Sequence, residues 1–245
     1  MSARLLDAGD AAVTVEFGDH ISARLLAQVA ALDRALGAAR ARGDLPGVVE
    51  TVPTFRSLTV VYDPLRTCRA LLDPALRSLL QHSADSAAVP GRCWRLPVCY
   101  GEGFGADLGD VALATGLSAD AVVQLHSSSL FQVAMLGFMP GFAFLSGLPA
   151  ALQMPRRPQP RLRVPAGAVG ITGTLSAVYP WESPGGWQLL GRCPVPLFNA
   201  TAATPALLAP GDSVRFEQVS PDRFAALQAQ VRSATFATDT LLEAA

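Results

Sequence analysis

The segment PRRPQPRLRVP (155–165) sets Arg156, Arg157, Arg161 and Arg163 among four prolines. Proline fixes φ, so these guanidinium groups are presented with little conformational freedom. Such a loop suits a carboxylate or a phosphate, each of which offers two oxygens to one guanidinium fork. A solvated surface loop is the alternative. A second cluster, ESPGGWQLLGR (182–192), places Glu182, Ser183 and Arg192 around a Gly-Gly turn, with Trp187 as core or pocket wall. His126 closes the run VVQLH ahead of three serines. At a helix end a histidine interacts with the dipole; beside a pocket it donates or accepts a proton. No acidic residue stands at a fixed spacing to complete a triad.

Several chemistries are excluded by composition. All 19 basic side chains are arginine. Without lysine there is no Schiff base, no P-loop lysine and no Ser-Lys dyad. The GxSxG motif of the α/β-hydrolases is missing. Cys68, Cys93, Cys99 and Cys193 are scattered with no CxxC pair, so they read as free thiols and no metal site is expected. A net charge of −1 supplies no global field for nucleic acid or a membrane surface. No run is long and apolar enough for a membrane span, and no apolar leader opens the chain. A reduced, soluble, cytoplasmic protein is expected.

The elements that must position these residues fall into two parts. AVTVEF (12–17) alternates as a strand. Ser22 can cap a helix in which Leu25, Leu26, Val29, Leu32 and Leu36 recur at helical spacing to about Ala41. Two short strands, 48–52 and 58–62, precede a helix over 66–81 with Leu71, Leu72, Leu76, Leu79 and Leu80 on one side. This order predicts a small α+β domain, ferredoxin-like if one more strand joins. SADSAAVPG (83–91) has linker composition, which sets domains at 1–86 and 87–245. A strand over 92–99 and two short helices, 107–115 and 118–127, follow. From Phe131 to Phe216 short apolar runs alternate with Gly and Pro, as in a β-barrel or sandwich. A last helix runs from Pro221 to about Arg232. The two short helices around Gly116 have the outline of a helix-turn-helix. The second offers only Asp120, Gln124 and His126, with none of the cations that bind phosphates, so a packed helical hairpin is expected.

One stretch fits neither helix nor plain strand. GFMPGFAFLSGLP (137–149) is apolar enough for a core, yet two prolines and three glycines interrupt it. Together with PRRPQPRLRVPAGAVGI (155–171), YPWESPGGWQLLGRCPVPLF (179–198) and LLAPGDSVRF (207–216), it resembles the B subunit of bacterial 5-oxoprolinase. That family also includes the sporulation-kinase inhibitor KipI and proteins called allophanate hydrolase subunit 1. GDAAVTVEFGD (9–19) and FRSLTVVYDP (55–64) resemble its first-domain signatures, and CYGEGFGADL (99–108) resembles its junction.

The resemblance implies a small N-terminal α+β domain followed by a cyclophilin-like β-barrel, with Phe138, Phe142 and Phe144 filling the barrel or a pocket. It implies a subunit of an ATP-dependent enzyme that opens 5-oxo-L-proline to L-glutamate, inactive alone. The partners would be an A subunit for lactam utilisation and a C subunit, itself cyclophilin-like. ATP with magnesium would be shared with those partners, and no tightly bound cofactor is implied. The alternatives are a KipI-like regulator of a sensor histidine kinase and an allophanate hydrolase-like subunit. His126 and Glu182 are then the expected catalytic residues, and Arg163, Arg192, Phe138 and Trp187 the expected substrate-binding residues, on one concave face. One departure stands out: Leu175, Ser176 and Ala177 replace the Gln-Thr-Gly of many relatives, with consequences for the ligand pocket.

Overall fold

A computed structural model of the chain describes residues 3–83, 91–101 and 103–243. The chain divides into two compact units, Met1–Pro90 and Gly91–Ala245. The expected boundary between 86 and 87 lies outside the described residues.

The first unit runs β1 (Arg4–Asp7), β2 (Ala12–Glu16), α1 (Ala23–Ala41), β3 (Val48–Pro53), β4 (Ser57–Tyr62) and α2 (Arg69–Ser83). Its sheet has the order β1-β2-β4-β3 and every pair is antiparallel. This is the ferredoxin-like arrangement, with the edge strand supplied ahead of β2 rather than after the second helix. Alternation puts Val13, Val15, Leu58 and Val60 on the face that meets the helices. Ser22 Oγ accepts from the Leu25 N–H and starts α1, which buries Leu25, Val29, Leu32 and Leu36. Each such leucine contributes about 2 kcal/mol through burial. Gly37 stands inside the same helix, where it costs about 1 kcal/mol relative to alanine. α2 begins three residues later than the spacing suggests, because Arg66 and Thr67 both donate their N–H to the Asp63 carbonyl in a turn. Its buried stripe is Leu72 and Leu76; Leu71, expected beside them, is 67% exposed because it lies off that i, i+4 line.

The second unit contains β5 (Cys93–Tyr100), α3 (Leu108–Thr115), α4 (Ala119–Ser128), β6 (Phe131–Leu136), β7 (Ala143–Ser146), β8 (Arg161–Val164), β9 (Ala168–Thr172), β10 (Leu175–Val178), β11 (Ser183–Gly185), β12 (Gln188–Arg192), β13 (Ser213–Gln218) and α5 (Pro221–Arg232). Seven strands close into a barrel in the order β10-β7-β6-β13-β5-β12-β9. β13 is parallel to β5 and antiparallel to β6. One core cluster draws on all seven strands, including Leu96, Phe131, Leu145, Ile171, Val178, Leu190 and Phe216. α3 and α4 add Leu108, Val111, Val122 and Val123 to it. They are joined through Gly116, left-handed at φ 70, and meet at 96° as a packed hairpin. β8 and β11 form a separate two-stranded ribbon. A second cluster lies on the other face of β7, β9, β10 and β12: Phe142, Ala168, Ala177, Tyr179, Trp187 and Leu189. Among the described residues no single helix is long and apolar enough to cross a membrane, and no group of three His, Cys, Asp or Glu side chains is placed to hold a metal ion.

Candidate functional site

α4 carries His126 into the barrel core, where it is fully buried. Its ring stacks on Phe216 at 4.7 Å between centroids and tilts against Phe131 at 5.1 Å. Nδ1 lies 2.8 Å from Tyr100 Oη and Nε2 lies 3.0 Å from Ser176 Oγ. The single Ser176 proton goes to the Gly170 carbonyl at 3.2 Å. Ser176 therefore accepts from His126 Nε2–H, and Nδ1 accepts from the Tyr100 hydroxyl. The imidazole is neutral, with both nitrogens satisfied. Burial lowers its pKa to about 3 and pushes the Tyr100 phenol up. The chain of donors ends on a backbone carbonyl, so it has no acid or base to exchange a proton with. The expected meeting of His126 with Glu182 on one concave face does not occur: one is sealed in the core, the other is half exposed.

The replaced tripeptide belongs to these interiors. Ser176 completes the histidine network, and Ala177 packs into the Phe142–Trp187 cluster.

The arginine segment is tied down from within the unit. Asp107, 1% exposed, accepts from Arg157 Nη1 at 2.6 Å and from Arg161 Nη1 and Nη2 at 2.9 and 2.6 Å. It also accepts from the Leu189 N–H at 2.7 Å. Asp107 sits at the N-cap of α3, but its side chain makes no capping bond; the carboxylate faces the arginines instead. Arg163 on β8 pairs with Glu182 at 2.6 Å, both side chains largely in solvent. Arg192 donates Nε–H to the Ala166 carbonyl at 2.9 Å, in the turn that follows β8. These pairings leave Arg157, Arg161 and Arg163 occupied, which differs from the free cationic loop that the sequence suggests.

Phe138 and Trp187 are linked through Phe142. Phe138 packs edge-on against it at 5.6 Å, and Trp187 at 5.9 Å. Trp187 and Phe142 are buried, as a wall requires, but Phe138 is 70% exposed. The reason is the turn. Gly137 donates to the Phe142 carbonyl and Phe142 donates to the Met139 carbonyl, and Phe138 takes the left-handed conformation at φ 68. A bulky residue there is strained by roughly 1–2 kcal/mol. Beside it, Trp181 is 48% exposed, donates Nε1–H to the Pro140 carbonyl at 3.1 Å and meets Phe198 at 6.2 Å. A strained, exposed Phe138 and an exposed Trp181 thus form an aromatic lip, and Glu182 follows Trp181 directly.

Residues 3–208 match the sequence profile described as carboxyltransferase domain, subdomain C and D. The chain belongs to that family. It is 38% identical over 222 residues to the B subunit of 5-oxoprolinase from Bacillus subtilis, covering 86% of this chain and 91% of the relative. Identity with the B subunit of 5-oxoprolinase from Escherichia coli O157:H7 is 46% over 175 residues, 71% of this chain and 79% of the relative. The crystal structure of TTHA0988 superposes with a TM-score of 0.76 at 41% identity over 85% of this chain; the chain spans 40% of that protein's length.

Burial works against thiol reactivity in this member of the carboxyltransferase C and D family. Cys93 Sγ lies 3.1 Å from Glu243, but burial and that carboxylate push the thiol pKa up, away from the thiolate. Burial likewise pushes the Cys193 thiol up to about 12. Sequence reasoning missed Asp107, Tyr100 and Trp181. Trp181 had a signal, since it adjoins Glu182 in the same motif; the other two act across distances of 26 residues or more, where spacing carries no information.

Proposed function

We propose that this chain is the B subunit of a 5-oxoprolinase that opens 5-oxo-L-proline to L-glutamate with ATP hydrolysis. The observation that carries the reading is the identity of 38% and 46% to proteins of that name over most of their length. A lactam is a stable amide, and phosphorylating its oxygen makes the carbonyl a better electrophile. That reaction needs a cradle for the carboxylate, a place for nucleotide and a positioned water. The barrel's arginine segment does not fit a nucleotide with magnesium, since Asp107 and Glu182 already hold three of its guanidinium groups. ATP and magnesium are therefore assigned to the partners or to surfaces shared with them. Those partners are an A subunit for lactam utilisation and a cyclophilin-like C subunit, and the Phe138–Trp181 lip is the surface offered to them.

Co-expression with those partners tests the reading. The complex should hydrolyse ATP only when 5-oxoproline is present, and the purified chain alone should not. Turnover by the chain alone would overturn its role as a silent subunit. An inactive complex that is intact by size would overturn the substrate. Trp181→Ala should leave the melting temperature of the chain within a few degrees, because the indole is half in solvent, yet weaken partner retention about tenfold or more. Unchanged retention would move the interface elsewhere.

A further inference from the structure

Gly37 is inside α1, yet a methyl group built there meets no atom within 4 Å. Packing within the unit does not call for glycine, and helix propensity opposes it. The space it leaves open belongs to a solvent-open pocket of about 580 Å³ between the end of α1, the 43–47 turn and Arg66, with Gly37, Arg40 and Arg66 all exposed. That volume suits a small organic molecule. The lining includes two guanidinium groups, Arg40 and Arg66, and no carboxylate. Arg40 is fixed by a bond to the Val49 carbonyl, while the Arg66 side chain makes no hydrogen bond or ion pair among the described residues. Asp44, in the adjoining turn, is held by Arg42 at 2.7 Å. The carbonyls that end α1 do not oppose an anion strongly, because Arg42, Gly43 and Asp44 donate their N–H groups to Ala38, Arg40 and Ala39. Leu45 and Val48 supply an apolar floor.

We infer that this pocket binds a small organic oxyanion, a carboxylate or a phosphate monoester. Arg40 and Arg66 grip the charged end, and the apolar body lies on Leu45 and the open face of Gly37. Two cations with no acid in the lining make the site attractive to an anion, and the guanidinium fork matches two oxygens at once. The site lies wholly in the first unit, so it stands or falls apart from the enzyme assignment.

The test is a titration of the full chain with phenyl phosphate, benzoate and benzyl alcohol, followed by amide NMR. An anion should shift the signals of Gly37, Gly43 and Gly47, and whichever of phosphate and carboxylate binds more tightly names the source. Benzyl alcohol has the same body without the charge and should leave them in place. Arg66→Ala should weaken binding about tenfold or more. Gly37→Leu should abolish binding while raising the melting temperature, since it restores helix propensity and fills the pocket. Benzyl alcohol binding as tightly as the anions would overturn the inference. So would no binding of either anion at millimolar concentration, or affinity unchanged in both variants.

Discussion

Replacing Asp107 with alanine should lower the stability of the barrel unit by about 3–5 kcal/mol. The carboxylate is 1% exposed and accepts from two arginines and from the Leu189 N–H. Its removal leaves two guanidinium groups, 31% and 25% exposed, facing each other without a counter-ion, and one buried N–H without an acceptor. Both losses fall on the same place, the junction of α3, β12 and the segment leading into β8. Urea unfolding should show a lower midpoint with an unchanged slope. Asp107→Asn keeps an acceptor for Leu189 but not the charge, and should lie between wild type and alanine. A loss under about 1 kcal/mol would place the network with ordinary surface ion pairs. The exposed Arg163–Glu182 pair is the internal comparison, and its removal should cost that little.

Acid should act on the barrel through His126. Burial holds its pKa near 3 in the folded chain, against an ordinary value of 6.5. The unfolded chain therefore binds a proton that the folded chain refuses. The stability is fully present above about pH 6.5, falls by about 1.4 kcal/mol per pH unit below it, and is lost as pH passes through the folded value. The total is on the order of 5 kcal/mol. Carboxylates such as Glu243, lowered by the Cys93 and Arg95 contacts, add their own loss only below their ordinary range. The window from about pH 6.5 to 5 thus isolates the histidine. His126→Gln should flatten the stability curve there, while lowering stability at neutral pH because one of the two hydrogen bonds is lost. A slope unchanged by the substitution would show that the proton goes elsewhere.

The parts of the fold governed by local rules were legible in the sequence. The Leu25–Leu36 stripe, the Ser22 cap and the Gly116 helix end need only neighbours a few residues away. The punctuated strands of the barrel followed from Gly and Pro spacing. β1 was not legible, because RLLD is short and mostly exposed, and only its pairing with β2 makes it a strand. The candidate site was less readable than the fold. The arginines were visible, but the acid that claims two of them lies 50 and 54 residues away. The position of His126 at a helix end was visible, but its burial depends on Tyr100 and Ser176 from distant strands. Phe138, Phe142 and Phe144 looked alike as barrel filling. In the fold Ala143 and Leu145 face the barrel cluster, Phe142 and Phe144 join the cluster behind it, and the turn ejects Phe138. Composition marks residues as apolar; only strand parity and turn geometry decide which side they face.

The parallel pairing of β13 with β5 has a consequence for how the protein is made. Ser213 aligns with Cys93 and Gln218 with Val98, so the partners are 120 residues apart, and β13 sits between β5 and β6 in the barrel. While the chain emerges from a ribosome, β5 and β6 each wait with an open edge until residues 213–218 appear. The first unit pairs strands no more than 49 residues apart (Ala12 with Val61), all of them made before β5, and can fold meanwhile. The barrel cannot close until nearly all of it has been synthesised, and such long-range closure is slow. Its apolar strands are exposed to mispairing for that interval, which makes the nascent barrel, rather than the finished protein, the species most in need of a chaperone.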